Sequence, residues 1–140
     1  MNYHWSGNLG ATGTLLQIAH TCGIPLIEDA SEAFGALHQG RPLGNGSADY
    51  TVFSFGPVRQ LSCGEGGAIA CASESASQGI RKSRRFGIDA PSFRLANGDL
   101  NPASDIGDFG LNAMMSEISA AIGLAQFDEL PELLQKTKRN

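Results

Sequence analysis

Three absences set the first bounds on this chain. Among its 140 residues there are only three cysteines, Cys22, Cys63 and Cys71, an odd number without a C-x-x-C pair. That excludes a disulfide framework and a structural zinc module as organising devices, and the thiols are expected to act as small buried residues. No apolar run approaches the ~20 residues that a bilayer-spanning helix needs. Nor is there a charged-then-apolar leader ending in a small-residue cleavage site, so a cytoplasmic location is expected.

Charge of one sign is equally scarce. The formal net charge is -4 with mixed signs throughout, which argues against nucleic acid or an anionic membrane as a partner. The one basic cluster, Arg81-Lys82-Ser83-Arg84-Arg85, would point around most of a helix and reads as a solvated face. His4, His20 and His38 have no cysteine or carboxylate at metal-ligand spacing, so no metal site is expected and each takes a core or surface role.

What is present is an alternation of helix and strand in a length suited to one core. Leu15, Leu16, Ile18, Ala19 and Cys22 recur at helical spacing and are closed by Gly23 and Pro25, which predicts a helix with one apolar face. The continuous apolar run Ile24-Pro25-Leu26-Ile27 predicts a parallel strand covered on both faces, with Glu28 and Asp29 at its carboxyl end. A Gly-rich connection over Gly40 to Gly46 leads to a second strand, Tyr50 to Phe55, stopped by Gly56-Pro57. A third strand, Ala68 to Ala72, and a helix from Ser73 to Arg85 follow Gly64-Glu65-Gly66-Gly67.

Phe86 to Gly110 is rich in Gly, Pro, Asn, Asp and Ser and reads as one long irregular segment. Beyond it, Ile118, Ala121, Ile122 and Ala125 form an apolar helical stripe, and Leu130, Leu133 and Leu134 begin another helix with Pro131 in its first turn. No internal repeat is evident.

Ligands of open α/β sheets collect at the carboxyl ends of strands, where this reading places Asp29, Ser54 and the segment after Phe55. Taken singly these are weak signals, since an aspartate after a strand is about as often a cap or turn former. The glycines of Gly64-Glu65-Gly66-Gly67 lack both the Lys-Ser/Thr of a P-loop and the spacing of a dinucleotide fold. The Met114-Met115 pair reads as helix packing.

Three strings together carry more. Ile27-Glu28-Asp29-Ala30-Ser31-Glu32-Ala33-Phe34-Gly35 resembles an I-E-D-A-A-Q-A-x-G signature. Phe53-Ser54-Phe55-Gly56-Pro57-Val58-Arg59-Gln60-Leu61, with Gly64-Glu65-Gly66-Gly67 after it, resembles F-S-F-x-x-x-K-x-L-x-x-G-E-G-G. The segment from Gly110 through Asn112, Met115-Ser116-Glu117 and Ala120-Ala121 to Gly123-Leu124 is similar to G-x-N-x-x-M-S-E-x-x-A-A-x-G-L. In this order the blocks resemble the DegT/StrS-type sugar aminotransferases, fold-type-I pyridoxal phosphate enzymes.

The resemblance implies an α/β fold, the three-layer sandwich of the aspartate aminotransferase-like large domain with a mostly parallel sheet. It implies only part of that domain, with the amino-terminal segment and carboxyl-terminal small domain of the family absent from these residues. It further implies a pyridoxal 5'-phosphate or pyridoxamine phosphate cofactor, a homodimer, and a keto-sugar nucleotide with an amino-acid donor as substrates. Asp29 matches the carboxylate that keeps the pyridine nitrogen protonated. Ser54 matches a hydroxyl on the cofactor phosphate, and Asn112 an amide reaching that phosphate from the partner subunit.

Two positions depart from the pattern. Glu32 stands where the family has Gln or His near the ring, and a carboxylate there is expected to have a raised pKa or to weaken ring binding. Arg59 stands where the family has the lysine that carries the cofactor as a Schiff base and then moves a proton. A guanidinium has no neutral nucleophilic form near pH 7. Lys82, Lys136 and Lys138 lie away from the site on this reading, so transamination by the chain is expected to be impaired or lost.

Some family members carry histidine at that position, act as dehydratases and hold the cofactor noncovalently. Three readings therefore stand: an impaired aminotransferase, a noncovalent binder of pyridoxal or pyridoxamine phosphate, and a noncatalytic relic or dimerising scaffold. In the last, Arg59 would form a salt bridge with Glu32 or Asp29 in the cofactor's place.

Overall fold

The computed structural model describes residues 1–139, with side chains up to Thr137. Lys138 therefore lies, by its side chain, outside the described residues. Contacts divide the chain into two compact units: Met1–Ser73 with the residues from Met115 onward, and Glu74–Met114.

The first unit is built on a mixed sheet of order β1-β2-β5-β6. Strands β1 (Asn2–Tyr3), β2 (Ile27–Asp29) and β5 (Tyr50–Ser54) run parallel, and β6 (Gly67–Cys71) closes the sheet antiparallel to β5. The α/β class with a mostly parallel sheet is thus the observed one. Strand β1 carries too short an apolar pattern to be read from sequence.

Helix α1 (Thr12–Cys22) ends as its sequence predicts. Gly23 adopts a left-handed φ of 62° and its N–H bonds back to the Ala19 and His20 carbonyls, a geometry glycine enters without a Cβ penalty. Leu15, Leu16 and Ala19 pack with Leu26 and Ala48. Cys22 is exposed, against the expectation for the thiols, because 100° per residue carries it to the side of the Thr12–Leu16–Ala19 stripe. Cys63 is buried and Cys71 half-buried.

Strand β2 starts later than predicted. The Ile24 N–H is used by the helix cap, bonding to the Ala19 carbonyl, Pro25 has none to offer, and the Leu26 N–H goes to the Asp49 carboxylate at 2.7 Å. Only from Ile27 onward is the ladder free to form. The connection after it holds a hairpin that the sequence reading passed over, β3 (Leu37–His38) with β4 (Arg41–Pro42). Gln39 and Gly40 turn it with φ of 51° and 78°, the double positive φ of a type I′ turn.

One apolar cluster, Ala30, Ala33, Leu43 and Phe53, receives Leu9, Phe34 and Phe55. Phe34 meets Phe53 and Phe55 edge-to-face at 5.2 and 5.8 Å, a preferred aromatic geometry. Helix α4 (Glu117–Phe127) is N-capped by the Ser116 hydroxyl, which accepts from the Ser119 N–H. The stripe expected to bury it does not. Ile118 and Ile122 are 75% and 46% exposed, while Gly123 packs on Cys63 and Leu61 and Gln126 bonds to both backbone groups of Ser62. A missing side chain lets that helix approach by its backbone. Helix α5 (Leu130–Arg139) follows, with Pro131 in its first turn.

The second unit contains α2 (Glu74–Ser83) and, within the segment predicted to be irregular, the single turn α3 (Ala90–Phe93). Arg81, Arg84 and Arg85 are exposed, as a solvated face should be. Lys82 donates to the Asp108 carboxylate at 2.8 Å, a bond that raises its pKa.

Candidate functional site

Register assigns the faces of the sheet. Tyr3 pairs with Asp29, and Asp29 with Val52, so these side chains share one face with Ser54, two residues beyond Val52. Glu28 pairs with Asn2 and Thr51 and turns to the other face, together with Phe53. Adjacent acids on β2 therefore enter different surroundings.

On the Glu28 face the environment is sealed. Glu28, His4 and Thr51 are at most 1% exposed. The Glu28 carboxylate meets the His4 Nε2 at 3.2 Å and accepts from the Thr51 hydroxyl at 3.3 Å. His4 also donates its backbone N–H to the Asp29 carbonyl at 3.0 Å. It thereby ties the ends of β1 and β2 from two directions.

The other face opens at the carboxyl ends of β1, β2 and β5. The half-buried Asp29 accepts the Ser31 N–H on Oδ1 at 3.0 Å, and the Ser54 hydroxyl accepts the Gly56 N–H at 3.3 Å. A turn in which the Arg59 N–H bonds to the Gly56 carbonyl swings Arg59 back toward the loop after β2. Its Nη1 lies 3.3 Å from Glu32 Oε1, with both side chains 24% exposed. Of the two carboxylates open to this guanidinium, Glu32 is the one it takes.

Glu32 Oε2 accepts the Ser6 N–H at 2.9 Å. That backbone donor holds the Glu32 pKa below the usual glutamate range, against a smaller opposing effect of burial and with help from the Tyr3 hydroxyl and Arg59. The expected rise is therefore corrected to a fall, since hydrogen bonds to the ionised form outweigh its desolvation. Partial burial, then the Glu32 carboxylate, push the Tyr3 phenol up. The Gln60 amide donates to the Glu32 carbonyl at 3.1 Å, and its buried Oε1 has no partner among the described residues.

Sequence reasoning named Asp29, Glu32, Ser54 and Arg59, and the first unit brings all four to one end of the sheet. It missed Tyr3, Ser6 and Gln60. Ser6 acts through its backbone and leaves no side-chain signal, but a glutamate inside an apolar strand could have announced that Glu28 needs buried partners. Asn112 belongs to the second unit, where it is exposed and its backbone bridges to Arg85. Neither of the lysines with described side chains is free: Lys82 holds Asp108, and Lys136 pairs with Glu132 along α5 at 2.9 Å. An open hollow of about 430 Å³, lined by Leu26, Ala48 and Asp49 among others, lies at the amino ends of β2 and β5, away from this site.

The donor set fits noncovalent retention of a vitamin B6 phosphate. A half-buried carboxylate suits a protonated ring nitrogen, a strand-end hydroxyl suits a phosphate, and the unpartnered Gln60 Oε1 can accept a further donor. It does not fit covalent attachment, because the side chain at position 59 ends in a guanidinium.

Comparison with known proteins establishes the family and the fold. The model of the DegT/DnrJ/EryC1/StrS aminotransferase family matches residues 1–140, and the chain belongs to that family. Among solved structures it is similar to AtS13 from Actinomadura melliaura, with 31% identity and a TM-score of 0.80 over 93% of this chain and 35% of that one. It is also similar to DesI, determined in the presence of its TDP-sugar product, with 34% identity and a TM-score of 0.77 over 98% of this chain and 32% of that one. Helicobacter pylori PseC, at 23% identity and a TM-score of 0.83 over 98% of this chain and 34% of that one, shares the fold. The chain spans about a third of the length of each.

Proposed function

We propose that this protein descends from sugar aminotransferases acting on keto-sugar nucleotides, and that it holds pyridoxal or pyridoxamine phosphate without a covalent bond and with transamination impaired or lost. The observation that carries the reading is the side chain at position 59: a guanidinium engaged with Glu32, five residues past the strand-end hydroxyl of Ser54. The TDP-sugar product of DesI supports a nucleotide sugar as the substrate class. Asp29 keeps a proton on the ring nitrogen, and Ser54 donates to the phosphate. Asn112 of a second copy reaches the same phosphate in a cytoplasmic homodimer. The cofactor, when bound, supplies an electron-withdrawing ring to the substrate carbon. Arg59 stays charged throughout and neither attacks a carbonyl nor shuttles a proton near neutral pH.

The test is an absorbance titration of the protein and its Arg59→Lys variant with pyridoxal phosphate, followed by borohydride reduction and peptide mass spectrometry. Reversible binding by the natural chain, with cofactor mass fixed on residue 59 only in the Lys variant, is the expected result. Absence of binding by both would favour a noncatalytic relic, a reading that the Arg59–Glu32 pair itself makes specific by occupying this end of the sheet.

A further inference from the structure

We infer that Glu32 is an ammonium-recognition residue that makes the site select the amine form of the cofactor, pyridoxamine phosphate, over the aldehyde form. The inference rests on the noncovalent reading above and goes beyond it by assigning the preference to one side chain.

Three charged side chains share this end of the sheet: Asp29, Glu32 and Arg59. Their formal sum is -1, two carboxylates against one guanidinium. A pyridinium paired with Asp29 leaves Arg59 and Glu32 facing each other, and what the ligand presents beside them then decides affinity. By the family resemblance, position 59 is where a lysine amine meets the reactive carbon of the cofactor, and the longer Arg59 side chain ends with its Nη1 3.3 Å from Glu32 Oε1. On the noncovalent reading this puts Glu32 within reach of the one carbon at which the two cofactor forms differ.

The carboxylate is free to receive a donor. An ionised carboxylate accepts at about four lone-pair positions, and Glu32 uses three, with Oε2 on the Ser6 N–H, Oε1 on Arg59 and a further bond from the Tyr3 hydroxyl. Its side chain is 24% exposed, so a further donor can reach it without opening a core. Glu28, sealed at 0%, has no such access.

The two forms then differ in sign. A primary ammonium brings three N–H donors and a charge, whereas an aldehyde oxygen is an acceptor only and meets another acceptor in Glu32. Arg59 has N–H groups left that can serve the aldehyde oxygen, but that bond has a neutral acceptor. A bond between ammonium and carboxylate has charge on both sides and is the stronger by roughly a factor of two. The weighting favours the amine.

The experiment measures dissociation constants on the intact protein for pyridoxamine phosphate, pyridoxal phosphate and 4'-deoxypyridoxine phosphate, which keeps ring and phosphate but carries neither amine nor aldehyde. The natural protein is expected to bind pyridoxamine phosphate about tenfold more tightly than the deoxy compound, the advantage of one charge-assisted contact. Pyridoxal phosphate should bind no better than the deoxy compound. Glu32→Gln, which keeps an acceptor for the Ser6 N–H, should bring all three near parity, and Arg59→Gln should preserve or widen the amine preference by removing the competing cation. Equal binding of the three ligands by the natural protein, or a preference that survives Glu32→Gln, overturns the assignment to Glu32 while leaving the noncovalent reading intact. Binding of none of them overturns both.

Discussion

Two glutamates four residues apart divide the work of this domain between them. Glu28 lies beneath the sheet, closed in by His4 and Thr51 at 0–1% exposure, whereas Glu32 lies in the open loop beyond the strand with Arg59, Ser6 and Tyr3 around it. Both are satisfied carboxylates. The sealed one can only hold structure, because any new partner would have to displace a packed neighbour. The open one keeps accessible lone pairs and a pair partner that solvent already screens, so its contacts can be exchanged. Burial, and not the number of partners, decides which acid supports the fold and which is available to a ligand.

The comparison breaks most sharply at Glu28. Glu28→Ala should cost about 3 kcal/mol, the upper end of the cost of unpaired buried groups, because the His4 ring and the Thr51 hydroxyl both lose their carboxylate partner, read as a shift of the denaturant midpoint at unchanged slope. A loss below ~1 kcal/mol would mean that the network is not sealed in solution. Thr51→Val should cost less, about 1–3 kcal/mol for a carboxylate left short of one donor, while Thr51→Ser restores most of it.

The smallest effect concerns Glu32. Its pKa is lowered by the Ser6 N–H, so its stabilising contribution is present above the usual glutamate range and is lost as pH falls through the depressed folded value. The Ser6 amide resonance should therefore titrate below pH ~4.3, the ordinary glutamate value, and the titration should vanish in Glu32→Gln. The same variant should leave the unfolding midpoint nearly unmoved, and a large shift there would erase the distinction between the two acids.

Much of this was legible beforehand, for identifiable reasons. Helix α1 announced itself through three-and-four spacing and Gly23, β5 through its aromatic and β-branched residues, and the site acids through their place at a strand end. Other features left little trace. Strand β1 is two residues long, and α4 packs through Gly123, which has no side chain to register in a hydrophobic pattern. The start of β2 depended on where the Ile24 and Leu26 N–H groups were spent and on Pro25 having none, a matter settled by Ala19 in the preceding helix and by Asp49, which lies 23 residues beyond Leu26. Ser6 entered the site through its main chain, which any residue except proline could have supplied.

One consequence of β5 reaches further. All five of its residues pair with β6 and the first three with β2 as well, and they alternate Thr51 and Phe53 inward with Val52 and Ser54 outward. A chain misassembled with β5 slipped by a single residue would turn Ser54 into the apolar layer, push Phe53 toward water, and take Thr51 away from Glu28. The slipped species would lose the strand-end place of Ser54 and its buried acid's partner at once. Errors of register and errors at the candidate site are therefore the same errors here, and whatever culls the badly folded copies also culls those whose site is misbuilt.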